Sequence, residues 1–264
     1  MSELRCLGVL LCYNDGDLLE ESVEHLLQQG HDLVVWDHGS TDETPAILER
    51  LRPELRELRR IPREFDFYEL YPEMSRHLIA NHVGDYDWIS WPDQDEFLEG
   101  PARDRPYRDH LEEASEAGVD WIEFENFNYW FTDEDDPAVR ETSRRVRRYC
   151  VRADCPPRIR SWRAGVTNIR RFNHNPLEGE PAPRRFRLRH YPMRSLEQAR
   201  ARVLRDRAGL RRGGENFHYD NMGRRLNSLV IAADQLHRDD GVADLDPSPI
   251  FDWRRIYGSA QEED

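Results

Sequence analysis

The stretch that decides the fold is "RCLGVLLCYNDGDLLEESVEHLLQQGHDLVVWD", residues 5–37. Its first apolar run predicts a buried strand, because the strands of parallel sheets are covered on both faces. A turn follows at residues 14–16, and Asp17 and Glu20 then have the spacing of a helix-capping box. Gly30 is placed to end that helix, and "DLVVWD" predicts a second strand. The stretch therefore indicates a strand, a helix and a strand.

The same alternation continues along the chain. Pro45 in the loop "HGSTDETP" suits the first turn of a helix over "AILERL". A third helix near residues 71–83 leads into "DWISW", and a fourth near 106–117 leads into "VDWIEFEN". Strands that alternate with helices predict an α/β fold with a mainly parallel sheet flanked by helices.

The composition is that of a folded protein with a polar surface. The chain has 264 residues, 38% of them hydrophobic, and a mean hydropathy of -0.88. Its longest apolar runs are too short to span a bilayer, and the N-terminus lacks a signal-peptide pattern. We therefore expect no transmembrane segment and a cytoplasmic location, with attachment to the inner membrane surface left open.

The four cysteines predict no special chemistry. Cys6, Cys12, Cys150 and Cys155 lack both the density of a disulfide framework and the spacing of a zinc site. We expect them to be buried or unreactive thiols.

Charge is unevenly distributed along the chain. The formal net charge is -14, which argues against a protein that coats nucleic acid. Between Arg140 and Arg212, however, 22 Arg stand against 6 acidic residues, a local balance of +16. There is no lysine, so the use of Arg alone is also explained by genome composition. A solvated basic face and a phosphate-binding surface both remain open.

Three polar clusters follow three of the predicted strands. They are Tyr13–Asp15, Asp37–Asp42 and Asp93–Glu96. In α/β sheets ligands bind beyond the carboxyl ends of the strands. We therefore expect the three clusters to meet at one rim and to form a site there.

Asp93 and Asp95 flank a single residue, Gln94. In an extended segment both carboxylates would point to the same side, where they repel unless a cation lies between them. Oxygen ligands of this kind suit Mg²⁺ or Mn²⁺. A helix N-terminus bearing acidic residues, which the helix dipole favours, explains the pattern equally well.

Taken together, these motifs resemble family 2 glycosyltransferases of the GT-A type. The resemblance lies in "CYND", "VVWDHGSTDETPAIL" and "WPDQDEFL", which follow the order of that family's nucleotide-binding half. Later, "RHYPMRSLEQARARV" resembles a segment of a bacterial branch of the family. The resemblance implies a GT-A-like fold with a donor-binding half over 1–125. An Arg-rich acceptor half over 126–212 and a helical C-terminal extension over 213–264 would follow.

The resemblance also implies residue roles. Tyr13 and Asp37 would hold the base and ribose of a nucleotide, while Asp93 and Asp95 would bind Mn²⁺ or Mg²⁺ on its diphosphate. His38 stands where many members carry a second Asp, which leaves the nucleotide open. His190, in "RHYP", is a candidate third metal ligand or phosphate contact. The remaining candidate donor-binding residues are Asn14, Ser40, Asp42 and Arg194.

An inverting transfer also needs a general base near the acceptor hydroxyl, usually a carboxylate in this family. The candidates are Glu125, which alternates with Glu123 in "WIEFEN", and Glu178 and Glu180, which lie in a loop rich in Pro and Gly. The acids of residues 133–136 are further candidates, and the sequence does not choose among them.

Two helices are predicted in the C-terminal part. Ser195 and Gln198 have capping-box spacing at the start of a helix over about 195–208, whose Arg side chains are solvated or contact phosphate. Apolar residues between Met222 and Leu236 recur at helical spacing and predict a packing helix. We expect the tail "SAQEED" to be disordered.

The sequence thus predicts a metal-dependent glycosyltransferase, inverting in mechanism. Its partners would be a nucleotide-diphosphate sugar and a saccharide or lipid-linked saccharide acceptor. Two alternatives remain open. One is the same transfer onto a nucleic-acid base, with the Arg-rich part as a groove for a strand. The other is a nucleotide-sugar-binding protein without turnover.

Overall fold

The structure is a computed structural model that describes residues 3–152, 156–166, 178–204, 222 and 229–257. The chain divides into two compact units. The first comprises residues 1–126 and 156–189, and the second comprises 127–155 and 190–264. Both units are discontinuous in sequence. The functional division expected at residues 1–125, 126–212 and 213–264 stays a prediction.

The strands are β1 Cys6–Cys12, β2 His31–Asp37, β3 Glu57–Arg60, β4 Trp88–Ser90, β5 Glu96–Glu99, β6 Trp121–Trp130, β7 Arg148–Val151, β8 Arg158–Arg163, β9 Phe186–Met193 and β10 His237–Arg238. The helices are α1 Leu19–Gln28, α2 Thr44–Leu51, α3 Phe67–Asn81, α4 Tyr107–Glu116, α5 Thr142–Arg145, α6 Leu196–Leu204 and α7 Arg254–Tyr257.

The centre of the first unit is a parallel sheet in the order β3, β2, β1, β4. Antiparallel β8 extends it beyond β4, and the first half of β6 pairs with β8. β9 pairs with β5 beside this sheet. The predicted α/β class, with a mainly parallel central sheet flanked by helices, is confirmed for these strands.

The apolar runs of β1 and β2 are buried because helices cover both faces of the sheet. All seven residues of β1 are buried. On one face its side chains pack with α1, α2 and α4, around Leu10, Leu19 and Leu111. On the other face they pack with α3, around Val9 and Met74. The expectation of a strand covered on both faces is therefore confirmed.

Helix α1 begins differently from the prediction. Leu18 occupies the N-cap position and no side chain caps the helix, so the capping box of Asp17 and Glu20 is wrong. The backbone carbonyl of Asp15 instead accepts hydrogen bonds from Leu18 and Leu19. At the other end the prediction is confirmed, because Gly30 adopts φ 73° just after the helix and only glycine does so without strain.

The other predicted helices of the first unit are present. Pro45 lies in the first turn of α2, as expected. Helix α4 lies within one residue of the predicted ends, while α3 begins at Phe67, four residues before the predicted start, and contains Pro72.

In the second unit the end of β6 pairs with β7, and β7 pairs with β10, all antiparallel. Helix α6 starts with the predicted cap, since Ser195 Oγ accepts a hydrogen bond from the Gln198 backbone at 3.1 Å. Gln198 in turn accepts one from the Arg194 backbone at 3.0 Å. Residues 205–208 of the predicted helix lie outside the described residues.

The predicted packing helix between Met222 and Leu236 is wrong over residues 229–236. Ile231 instead forms a bridge with Thr132, and Ala233–Gln235 is a short 3-10 helix. The carbonyl of Leu229 accepts a hydrogen bond from the Trp130 indole at 2.7 Å. The backbone groups thus have partners outside a helix, and tertiary contacts override the helical spacing. Most of residues 221–228, the tail and Cys155 lie outside the described residues.

Candidate functional site

The three polar clusters of the first unit meet at the carboxyl ends of the parallel strands, as expected. After β1, Asn14 adopts φ 53°, a left-handed conformation that Asn tolerates better than most residues. Its backbone N–H donates to Ser40 Oγ at 2.9 Å, and its side-chain oxygen accepts from the Thr41 backbone at 2.7 Å. The loops after β1 and β2 are therefore tied to each other.

The third loop is joined to the first by Gln94. Its amide donates to Asp15 Oδ2 at 2.5 Å, and its backbone carbonyl accepts from the Ser22 hydroxyl of α1. The Asp15 backbone donates to Thr44 Oγ1 at 3.2 Å. Residues from three separate loops thus form one connected rim.

Several of the expected donor-binding side chains hold this rim together. Asp37 is 2% exposed and accepts a hydrogen bond from the Ser40 backbone at 3.0 Å. Asp42 accepts from the backbones of Thr44 at 2.9 Å and Gly16 at 3.1 Å. These contacts shape the loops, so Asn14, Ser40 and Asp42 have a positioning role that the sequence did not indicate.

Tyr13 and His38 lie on either side of Arg63, a residue that sequence reasoning missed. The Arg63 guanidinium lies 4.5 Å from the centre of the Tyr13 ring. It also donates to His38 Nδ1 at 3.4 Å, while His38 Nε2 donates to the Phe65 carbonyl at 3.1 Å. Burial lowers the pKa of His38, and Arg63 acts in the same direction. The lowered pKa favours the neutral form of His38.

The segment Asp93–Asp95 is a turn and not an extended strand. The Glu96 backbone N–H donates to the Asp93 carbonyl at 3.0 Å, which closes the turn. The reasoning that placed both carboxylates on one side of an extended segment was therefore wrong about the backbone. Asp95 is 1% exposed, whereas the Asp93 side chain is 36% exposed.

Two arginines of β8 neutralise the acids of this turn. Arg160 lies 2.8 Å from Asp93 Oδ2 and 2.9 Å from Glu96 Oε1. Arg158 pairs with the same Glu96 carboxylate and lies 3.8 Å from Asp93. The Glu96 side chain is fully buried. Sequence reasoning missed this pairing, although the alternation of Arg in "RIRSWR" places both side chains on one face of a strand.

The surroundings of the turn act on Asp93 in both directions. Burial raises the pKa of Asp93, Arg160 and Arg158 act to lower it, and the nearby Glu96 and Asp95 act to raise it. Tyr71 of α3 also donates to Asp93 at 3.4 Å. Asp93 is therefore held by side chains of β8 and α3, beside two further carboxylates of the same turn.

Asp93 and Asp95 offer carboxylate oxygens of the kind that Mg²⁺ or Mn²⁺ takes as ligands, and their role as its ligands stays a prediction. Among the described residues, no third His, Cys, Asp or Glu groups with them closely enough to complete a set of protein ligands. Such an ion commonly uses one or two carboxylates and takes its other ligands from water and substrate phosphates.

The candidate general bases lie in different places. Within β6, Ile122 pairs with Ser161, and Ser161 also pairs with Ser90 of β4. Glu125 follows Ile122 by three residues, with a β-bulge between Ile122 and Glu123, and lies on the carboxyl-edge side of that level. It pairs with the exposed Arg185 at 3.1 Å.

Glu178 and Glu180 lie at the opposite edge of the sheet. The Glu180 carbonyl accepts from the backbone of Asp120, which directly precedes β6. Glu178 lines a cavity of about 930 Å³ with residues that precede β1 and β4. The structure therefore does not bring these two glutamates to the rim that carries Asp93.

His190 and Arg194 belong to the second unit. His190 Nδ1 lies 2.9 Å from Asn128 Oδ1, and Arg194, 1% exposed, donates to the Tyr191 carbonyl at 3.2 Å. Their roles toward a metal or phosphate stay predictions.

Comparison with protein families gives one match. Residues 9–101 match the model of glycosyl transferase family 2. The family 2 segment contains all three loops of the rim, from Tyr13 to Glu96.

Comparison with solved structures gives matches at low identity. Residues 1–349 of TarS from S. aureus share 12% identity with this chain at a TM-score of 0.40, covering 85% of this chain and 71% of TarS 1–349. A TarS 1–349 complex with UDP gives the same values. A197 from STIV gives 13% identity and a TM-score of 0.27, with 64% of this chain and 70% of that chain covered. These identities are too low to transfer residue roles.

A comparison with curated proteins gave no match. Within the described parts of the chain, no helix combines the length and apolar character needed to cross a membrane.

Proposed function

We propose that the protein is a metal-dependent glycosyltransferase that moves a sugar from a nucleotide diphosphate to a hydroxyl group. The observation that supports this most directly is the connected rim inside the family 2 segment. Three loops there are tied together by Asn14, Gln94 and Asp42, and they end in an acid-rich turn that suits a cation. Such a site can hold a base, a ribose and a diphosphate in one row.

Each part of the donor has a proposed partner on the rim. Tyr13, flanked by Arg63, offers an aromatic face to the base, and Asp37 accepts a hydrogen bond from the base or ribose. Asp93 and Asp95 would hold Mn²⁺ or Mg²⁺, which neutralises charge on the departing diphosphate. Arg158 and Arg160 keep the acidic turn in place through Glu96.

We propose Glu125 as the general base of an inverting transfer. Of Glu125, Glu178 and Glu180, it is the one that lies toward the carboxyl edge of the sheet. The side chain of its partner Arg185 is 51% exposed. An acceptor hydroxyl can therefore break this ion pair at little cost in free energy. A carboxylate in that position would accept the proton of the hydroxyl as it attacks the sugar carbon.

A saccharide or lipid-linked saccharide is the proposed acceptor, and a cytoplasmic location is part of the proposal. A nucleic-acid acceptor is less favoured, because several Arg of the basic segment are engaged inside the molecule. Arg158 and Arg160 pair with Glu96, and Arg189 lies 2.6 Å from Glu99. Their charge is thereby unavailable to a polynucleotide.

The test is a screen of nucleotide sugars with Mn²⁺, read as thermal stabilisation and as released nucleotide. We expect one donor class to raise the melting temperature and to release nucleoside diphosphate, because a ligand of the native state stabilises it. Stabilisation without release, with any acceptor supplied, would point to a binding protein without turnover. No stabilisation by any nucleotide sugar would contradict the proposal.

A mobility-shift assay with DNA and RNA oligomers at about 0.15 M salt distinguishes a nucleic-acid acceptor from a saccharide acceptor. A polynucleotide that spans several Arg releases several counterions, so its affinity falls steeply with salt. We expect no binding under these conditions. Submicromolar binding with a steep salt dependence would favour transfer onto a nucleic-acid base.

A further inference from the structure

A cluster of one glutamate and two histidines lies in the first unit, apart from the donor rim. Glu57 begins β3, His77 lies in the last turns of α3, and His82 follows that helix. In the sheet, Glu57 pairs with Val34, whereas Asp37 of the rim pairs with Arg60. The cluster is therefore three residues below the rim, between the outer strand and α3.

The two imidazole rings converge on one carboxylate. His77 Nε2 lies 2.9 Å from Glu57 Oε1, and His82 Nε2 lies 2.8 Å from Oε2. One nitrogen or oxygen atom from each of the three residues lies within 4.8 Å of the others. Among the described residues this is the one group of three metal-ligating side chains found together.

The cluster is mostly buried, and Glu57 is its most exposed member. The side chains of His77 and His82 are 9% and 7% exposed, and the Trp36 ring lies 5.5 Å from the His77 ring. Glu57 is 21% exposed and pairs at 2.6 Å with Arg59, whose side chain is 43% exposed. Arg59 also lies 5.2 Å from the centre of the Trp36 ring, so a cation that reaches the carboxylate must displace this guanidinium group.

We propose that Glu57, His77 and His82 bind a divalent cation of the zinc class, with water completing the coordination. Two imidazole nitrogens and one carboxylate are a ligand set that zinc adopts in proteins. With metal–ligand bonds of about 2.0–2.2 Å, tetrahedral geometry separates ligand atoms by roughly 3.3 Å. The observed separations of 2.8 and 2.9 Å need only a small expansion.

Binding requires a proton to move within each ring. In the cation-free state each Nε2–H donates to Glu57, so Nε2 must lose its proton and Nδ1 gain one. For His77, Nδ1 accepts from the Asn81 side-chain amide at 3.0 Å, and the same amide donates to the His77 carbonyl at 2.8 Å. The amide must give up both bonds to rotate and present its oxygen to an Nδ1–H. For His82, no hydrogen bond from the described residues competes at Nδ1. The change of tautomer is thus opposed by the Asn81 hydrogen bonds at His77 and by no described hydrogen bond at His82 Nδ1.

A hydrogen-bonded clamp between α3 and β3 is the competing interpretation of the same contacts. It accounts for the pairing as well, because one carboxylate accepts from two N–H donors. The metal interpretation is favoured by the meeting of three ligands of the types that zinc uses, two buried imidazoles and one partly exposed carboxylate, within 4.8 Å. The cation would fix the end of the helix whose first turns carry Tyr71, the partner of Asp93.

Cobalt titration of chelator-washed full-length protein tests this proposal, because cobalt bound by histidine nitrogen in a four-coordinate site absorbs strongly in the visible. We expect one equivalent to saturate the signal and Zn²⁺ to displace it. His82→Asn should weaken binding at least about 100-fold. His110→Asn is the matched control, since His110 is also buried and contacts a carboxylate, Asp104, at 3.1 Å.

Asp95→Asn should leave the cobalt absorbance unchanged, and this result would exclude the donor rim as the source of the absorbance. X-ray absorption of the zinc-loaded, unsubstituted protein should show two imidazole ligands, a result that does not depend on the folding of any variant. Absence of stoichiometric binding, an oxygen-only environment, or a signal unaltered in His82→Asn with native circular dichroism would each overturn the proposal. The proposed transferase activity is unaffected by any of these outcomes.

Discussion

The two edges of the parallel sheet in the first unit carry acidic residues in similar number but in different arrangements. At the carboxyl edge, Asp15, Asp42 and Asp93 each contact another loop or strand. At the amino edge, the cavity of about 930 Å³ is lined by six acids and by Arg163. Those six are Glu3, Asp87, Glu112, Glu116, Asp120 and Glu178.

The difference shows that acidic content alone does not mark a site. Acids at both edges are held by the backbone: at the amino edge Asp87 accepts from the Arg5 N–H at 2.8 Å and Asp120 from the Glu180 N–H at 2.9 Å. The carboxyl edge differs in that Asp93, Asp95 and Glu96 follow one another within a single turn, where Arg160 contacts both Asp93 and Glu96. Grouping on one turn that ends a strand of the central sheet, and not the number of acids, is what favours a site there.

The largest expected effect comes from a matched pair of substitutions at the two edges. Glu125→Gln should lower kcat by about 10²–10⁴-fold, because a general base contributes about that much. The KM for the donor should stay nearly constant, since Glu125 lies outside the three loops of the rim. Steady-state kinetics with saturating acceptor measures both constants.

Glu178→Gln is the control at the amino edge, and we expect its kinetics to match those of the unsubstituted protein. A kcat that falls in Glu178→Gln and holds in Glu125→Gln would reverse the assignment of the two edges.

The sequence predicted the carboxyl edge well because the motifs there are local. Strand, turn and helix signals around Tyr13, Asp37 and Asp93 follow each other closely, and the parallel topology then brings the loops together. The partners of Asp93 could not be predicted in the same way. Arg160 is 67 residues away in sequence, and its contact depends on antiparallel pairing of β8 with β4.

The C-terminal part shows the opposite case. The spacing of Leu229 and Leu236 matches a helix. The Leu229 carbonyl, however, accepts a hydrogen bond from the Trp130 indole, and the backbone of Ile231 forms a bridge with Thr132. Those contacts join residues about a hundred positions apart, and local periodicity carries no information about them.

The second prediction concerns the buried charge pairs that hold the acidic turn. Arg160→Met should lower the free energy of unfolding by about 3–5 kcal/mol, because it leaves Glu96 buried with one fewer partner. Urea unfolding followed by circular dichroism measures this.

Arg50→Met is the matched control, since Arg50 pairs with Glu20 at 2.7 Å on the surface. Its loss should cost less than about 1 kcal/mol. Equal losses in the two variants would mean that the turn is not held by its buried ion pairs.

A smaller effect is expected from the cation at the turn. Nucleoside diphosphate should bind with Mn²⁺ or Mg²⁺ and lose about 100-fold in affinity in EDTA, which corresponds to roughly 2.7 kcal/mol. In Asp95→Asn the affinity should be low in both conditions while circular dichroism stays native. Calorimetric titration provides the measurement, and affinity that is equal with and without the metal would remove Asp93 and Asp95 from the cation site.

The smallest expected effect tests how the rim recognises the rest of the nucleotide. Asp37→Asn keeps the size of the side chain. It also keeps an oxygen that can accept the hydrogen bond from the Ser40 backbone N–H, which Asp37 Oδ1 accepts at 3.0 Å. The loop should therefore keep its shape, while a nucleotide N–H or O–H loses a charged acceptor. Losing the charge of one such bond costs roughly 1.5 kcal/mol, about ten-fold in affinity.

The affinities for nucleoside and for nucleoside diphosphate should fall by the same factor, because Asp37 would contact the part that the two ligands share. If only the diphosphate weakened, Asp37 would act through the cation at the turn, and the proposed order of base, ribose and diphosphate along the rim would be wrong.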